Sequence, residues 1–263
     1  RPIVEIQYLD YVYWAIQTLS DDLSTLHYRT KGGQKAPVII RTRGHRLEGI
    51  WHSGSPMGTL VNSLRGINVL VPRNFVEAAG MYNTLLLSDE PGIIIEPLNA
   101  YRLKENLPNN LDKISVEFGV PSILKEGKDI SIVTYGSMCR IVLDAARELD
   151  EIGISCEVID VRTLLPFDKN KTIVNSIKKT NRVVFADEDI SGGASAFMMQ
   201  NVLENQNAYF YLDSKPITIH SKNHRPAYSS DGDYFSKPNC ENIFDKIYSL
   251  FNELNPKAYP SLR

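Results

Sequence analysis

Short, unbroken apolar runs alternate with stretches whose apolar residues recur every three or four positions, and the alternation occurs twice along the chain. In the first half, residues 3–8, 37–40, 67–71 and 91–96 read as strands, the later ones apolar enough to be covered on both faces. Between them, Val12 is followed by a helical stripe of Ala15, Ile16, Leu19, Leu23 and Leu26, with Asp10 placed to cap it and Gly32-Gly33 to end it. A short helix over 60–64 closes at Gly66. A longer one over 75–87 carries Phe75, Ala78, Ala79, Tyr82, Leu85 and Leu86 on one side. The second half repeats the pattern, with strands at 130–135, 154–161, 182–186 and 216–220. Helices follow Gly136-Ser137, Asp168 and Gly192-Gly193, and a final stripe runs Ile243, Phe244, Ile247, Leu250, Phe251, Leu254. Alternation of this kind predicts mostly parallel sheets flanked by helices. The expected fold class is therefore α/β in two domains, residues 1–104 and 122–263. They are joined by a linker over 105–121, where Pro, Asn, Lys and Glu follow no period. Residues 224–238 read as irregular.

Several function classes drop out. The 263 residues carry a net charge of −2, which offers no basic excess for nucleic acid and no polybasic tract for a membrane surface. No apolar run reaches the ~20 residues a bilayer span requires. The three cysteines, Cys139, Cys156 and Cys240, are far apart and lack zinc spacing. Their sparse, odd count fits a reducing compartment, so a cytoplasmic location is expected. Neither GxGxxG nor GxxxxGK[ST] occurs. Gly54-Ser55-Pro56-Met57-Gly58 has proline where a nucleophile elbow needs serine. Asp231-Gly232-Asp233 has the wrong spacing for an EF-hand loop and reads as a polar turn. The chain opens at Arg1-Pro2 without methionine, which reads as a boundary inside a larger polypeptide.

His52 stands out chemically. It lies in the Gly/Ser-rich segment Gly49-Ile50-Trp51-His52-Ser53-Gly54-Ser55-Pro56, just beyond Arg41-Thr42-Arg43-Gly44. An imidazole on an irregular loop after a buried strand is suited to proton transfer near neutral pH. Arg43, His45 and Arg46 lie in the same stretch and could attract a carboxylate or a phosphate. Solvated loop charges explain these three equally well.

Four segments occur in a telling order: Glu5-Ile6-Gln7 with Asp10-Tyr11, His52-Ser53-Gly54-Ser55-Pro56, Arg162-Thr163-Leu164-Leu165-Pro166-Phe167-Asp168, and Asp187-Glu188 with Gly192-Gly193. Together they resemble the β part of the E1 component of 2-oxo acid dehydrogenase complexes, a transketolase-like family. The resemblance covers essentially the whole chain. It implies that residues 1–104 are most of a pyrimidine-binding domain, truncated on its N-terminal side, and that 122–263 are a transketolase C-terminal domain. The wording around Tyr28, Arg41 and Asp231 is most similar to bacterial proteins in which α and β parts are fused.

The resemblance also implies chemistry. Thiamine diphosphate would be the cofactor, its Mg2+ held by the α part outside this chain. Gln7 and Tyr11 would flank the aminopyrimidine, the ring by stacking and the amide by hydrogen bonding. His52 would stabilise or protonate the bound intermediate and assist acyl transfer to lipoamide. The implied partners are the E1 α part and a lipoyl-bearing E2 component, with the assembly built on a homodimer. There are departures too. The family's general-acid glutamate belongs upstream of Arg1, and Met57 stands where the family places an acidic residue. The isolated chain is therefore expected to be inactive. Two alternatives stay open, a transketolase-like carbon-transfer enzyme and a non-catalytic assembly module.

Overall fold

A computed structural model describes residues 1–44, 52, 54–226 and 230–262. Among these residues the strands form two five-stranded sheets. The first half contributes β1 (Ile3–Tyr8), α1 (Val12–Gln17), α2 (Leu26–Arg29), β2 (Ile39–Gly44), α3 (Met57–Ser63), β3 (Asn68–Leu70), α4 (Phe75–Leu87) and β4 (Gly92–Pro97). The second contributes β5 (Ser122–Lys125), β6 (Ile130–Thr134), α5 (Met138–Glu151), β7 (Cys156–Asp160), β8 (Thr163–Leu165), α6 (Thr172–Thr180), β9 (Val183–Ala186), α7 (Ala194–Gln200), β10 (Ile217–Ile219), α8 (Ser230–Ser236) and α9 (Cys240–Leu254). The α/β expectation holds: within each sheet the strands are parallel except for β8 and β5.

The first sheet runs β1-β2-β4-β3-β8, so its last strand comes from the second half of the chain, antiparallel to β3. The second runs β10-β9-β6-β7-β5. Successive side chains on a strand face opposite ways, and β4 shows why its run is apolar throughout. Ile93 and Ile95 join a core that continues into the second half, through Val133, Ile159 and Phe185, with α3 and α7 included. Ile94 instead packs with Met81 and Leu85 of α4. The outer face of the second sheet is covered by α5 and α9, whose Val142, Leu149, Ile243 and Ile247 are fully buried. Leu254, expected in that stripe, is 43% exposed at the helix end.

Local chemistry sets the helix starts. The Asn74 side chain accepts the Glu77 N–H at 2.9 Å to begin α4. Asn239 and Asn242 form a reciprocal capping box on α9. Asp168 accepts the N–H groups of Thr172 and Ile173 at 2.7 and 3.2 Å, ahead of α6.

Four expectations need correcting. The helix after Val12 is not continuous: a π-helical turn over 18–23 separates α1 from α2. Asp10 does not cap it, since it lies inside a 3-10 turn, Leu9–Tyr11. The second strand begins at Ile39 and continues through Gly44, because Arg41 and Arg43 pair with partners on both neighbours. Arg41 reaches Glu5 at 3.1 Å and Glu96 at 2.7 Å, clamping three strands. The stretch read as irregular contains α8.

Beyond β8 and the shared core, two of the contacts between the halves stand out. Arg73 Nη1 lies 2.8 Å from Glu77 and 3.0 Å from Asp160, whose side chain is fully buried. Burial pushes the Asp160 carboxyl up to about 6, against the pull of Arg73 and the Arg162 N–H. At the other contact, a Cβ added to Gly58 would lie 2.9 Å from Gly193 Cα. Gly58→Ala is therefore expected to cost about 1–3 kcal/mol, because backbone must move to admit the methyl. Urea unfolding checks this, and an unchanged midpoint would show that α3 can shift freely.

Candidate active site

The chain turns sharply at the carboxyl end of β1. Ile6 pairs with Thr42 and Tyr8 with Arg43, so Gln7 is the extra residue of a bulge. The 3-10 turn that follows places Tyr8 and Tyr11 with their rings perpendicular, centroids 6.0 Å apart. His52 meets both. Its ring stacks on Tyr8 at 4.0 Å, tilted by 5°, and stands edge-on to Tyr11 at 5.1 Å. Ligands of parallel α/β sheets bind beyond the carboxyl ends of strands, which is where this cluster lies.

His52 has φ of +60°, a left-handed conformation that a histidine adopts at a cost of about 1–3 kcal/mol. Its Nδ1 lies 3.9 Å from Asp10 Oδ2. The Asp10 carboxylate accepts the Gly54 N–H. Burial raises its pKa above the ordinary value, while His52, Arg225 and Lys237 act to lower it. Asp10 also borders a cavity of about 400 Å³ between the two halves, shared with Pro56, Asp189 and Arg225. There Asp189 is pushed up to about 6 by burial and by Asp187, although it accepts the Gly58 and Ile190 N–H groups at 2.9 and 2.8 Å.

Of the residues singled out in the sequence, His52 and Tyr11 are in contact. Tyr11 keeps 42% of its surface exposed. Gln7 is exposed and touches this group only indirectly: its carbonyl accepts Arg43 Nε at 3.1 Å, and Arg43 lies 4.8 Å from the Tyr8 ring centroid. Among the described residues the Gln7 side chain has no hydrogen-bond partner. Arg43 belongs to β2 rather than to the loop, since it pairs with Tyr8 on one side and Glu96 on the other. It also lies 3.9 Å from Glu5. His45 and Arg46 fall outside the described residues. Sequence reasoning missed Tyr8 and the role of Asp10. The spacing of Tyr8 and Tyr11 across one tight turn was the available signal.

The segment from Arg162 to Asp168 is architectural in this structure. Arg162 Nε donates to the Val120 carbonyl at 3.0 Å, and Thr163 Oγ1 accepts the Gly119 N–H at 2.8 Å.

Residues 119–242 match the family described as transketolase, C-terminal domain. The chain is 32% identical over 230 residues to the mitochondrial 2-oxoisovalerate dehydrogenase subunit beta of Chaetomium thermophilum, across 83% of this chain and 47% of that protein. It is 34% identical over 225 residues to the pyruvate dehydrogenase E1 component subunit beta of Bacillus subtilis, across 83% and 67%. The corresponding Staphylococcus aureus protein is 34% identical over 193 residues, across 72% and 58%. The chain thus spans from about half to two thirds of the length of these relatives. A solved structure described as a split gene transketolase, inactive beta4 tetramer, superposes with a TM-score of 0.74 at 20% identity, covering 95% of this chain and 76% of that one. That likeness is one of fold.

Proposed function

The chain belongs to the family of E1 beta subunits of 2-oxo acid dehydrogenase complexes, and from that premise we propose that it forms the pyrimidine side of a thiamine diphosphate cleft, completed by an α part. In this reading the whole enzyme decarboxylates a 2-oxo acid, pyruvate or a branched-chain one, and passes the acyl group to lipoamide on an E2 component. The observation that carries it is the half-exposed Tyr11 ring set against His52 at the strand ends.

The residues present fit the cofactor's pyrimidine half. Tyr11 offers a flat ring with an open side, and Gln7 an amide free to donate and accept. Thiamine diphosphate, when bound, supplies the electron sink for decarboxylation. The chain's own residues then orient and exchange protons. With Nδ1 turned toward Asp10, Nε2 is the His52 nitrogen left for proton exchange with a reacting group. Tyr8, stacked on the imidazole, fixes the plane of the ring.

β1 is the edge strand of its sheet and, with α1, leaves apolar side chains open to solvent. Ile3 and Val4 on β1 are 53% and 44% exposed, and Trp14 is 93% exposed. Unpaired sheet edges with exposed apolar side chains are places that another chain can cover, which supports an α part on this side of the domain. Mg2+ belongs to that α part in this reading, and the assembly is a homodimer of such pairs. No described helix is long and apolar enough to cross a membrane. The three cysteines are unbridged, in keeping with a reducing cytoplasmic setting.

Two measurements test the proposal. Calorimetric titration of this chain alone with thiamine diphosphate is expected to show little or no binding, because the cleft needs both parts. Tight binding without a partner would refute the two-part cleft. The full-length polypeptide with its α part is expected to acylate a lipoylated acceptor from a 2-oxo acid. Transfer to a sugar phosphate instead would move the enzyme to the carbon-transfer class.

A further inference from the structure

Asp10 does work that its place in the 3-10 turn does not require. Its Oδ2 lies 3.9 Å from His52 Nδ1. Its carboxylate accepts the Gly54 N–H, two residues beyond the histidine. It therefore touches the His52 segment twice, once through the ring and once through the backbone. Gly54 carries no side chain at a point where an added Cβ would lie 2.6 Å from Asp10 Oδ1. The anchor is firm at its base, since neighbouring Leu9 and Val12 are fully buried.

We infer that Asp10 is the positioning residue for His52, fixing the imidazole on Tyr8 and directing its other ring nitrogen outward to the reacting group. This deepens the reading of His52 given above and rests on it. A carboxylate facing one imidazole nitrogen favours a proton on that nitrogen and leaves the other for proton exchange. Asp10 acts in a field drawn from several elements. His52 faces it from the loop after β2, while Arg225 and Lys237 face it from the second half, flanking α8. Asp10 and Gly54 both line the cavity between the halves.

Stability alone gives no reason for the acid. Burial raises the Asp10 pKa in the folded protein above 3.8. A carboxyl raised on folding binds more protons in the native state, so its ionisation lowers stability as pH rises through that range. An amide removes this cost and can still accept the Gly54 N–H through its oxygen.

The test uses the full-length polypeptide assembled with its α part. Asp10→Asn is expected to keep its thermal midpoint at pH 7–8, or raise it. It is expected to slow acyl transfer to the lipoyl group on the order of tenfold or more, while decarboxylation with an artificial electron acceptor stays near normal. In a double-mutant cycle with His52→Asn, the two losses should fail to multiply, since one residue acts through the other. Asparagine suits position 52 because it tolerates the left-handed backbone. Three results overturn the inference alone: normal transfer in Asp10→Asn, losses that multiply, or a lowered midpoint with both half-reactions falling together. If His52→Asn itself transfers normally, the reading of His52 fails first and this inference goes with it.

Discussion

Alanine at position 52 is expected to lower acyl transfer to lipoamide by roughly 10²–10⁴-fold, the usual contribution of a positioned acid–base group. The assay is overall turnover of the complete enzyme with its natural acceptor, alongside decarboxylation with an artificial oxidant. If the proposed reading holds, the first should fall steeply and the second much less, because the imidazole would serve the transfer step while Tyr11, Gln7 and the α part would hold the cofactor. His52 adopts a left-handed backbone, where alanine is strained, so alanine there also disturbs the local backbone. Asparagine separates the two effects by keeping the backbone and losing the imidazole's proton exchange. Equal losses in both variants assign the effect to the ring. A loss in alanine only would assign it to the backbone, and an unchanged rate in both would remove His52 from the reaction.

Arg73→Met is expected to be the most destabilising single change described here. It strands the fully buried Asp160 carboxylate, which now sits 3.0 Å from Arg73 Nη1. Breaking a buried pair on one side costs about 3–5 kcal/mol, more than the pair itself contributes. The cost should depend on pH. In the intact protein Asp160 titrates at about 6 when folded, above an exposed aspartate, so its ionisation already lowers stability between roughly pH 4 and 6. Without Arg73 the folded value rises further, and the loss continues to higher pH. Chemical unfolding of Arg73→Met should therefore show a deficit that is larger at pH 8 than at pH 5, where Asp160 takes up a proton. Adding Asp160→Asn should recover part of the deficit at pH 8. A deficit equal at both pH values would mean that Arg73 matters for its pairing with Glu77 or for its packing rather than for Asp160.

The architecture was largely legible because its strands and helices are locally consistent. The helix over 75–87 and the strand over 3–8 occur with those bounds. Their apolar patterning was enough to read them from sequence. β2 was harder to read, since Arg41 and Arg43 interrupt the apolar run and belong to it only through Glu5, Glu96 and Gln7 on adjacent strands. The pairing of β8 with β3 was out of reach for the same reason: it joins residues about ninety positions apart through backbone hydrogen bonds, and side-chain patterns carry no trace of such a partner. In the site, His52 and Tyr11 announced themselves by residue type and motif. Tyr8 and Asp10 did not, because their importance comes from a ring and a loop that return from forty residues later.

The short strand β8 has one further consequence. A protease cutting anywhere within 105–121 would leave a nicked molecule rather than two separable bodies, since the later piece still closes the edge of the earlier piece's sheet. Dissection of this protein into halves would expose that seam, and each half would carry a raw flank prone to self-association.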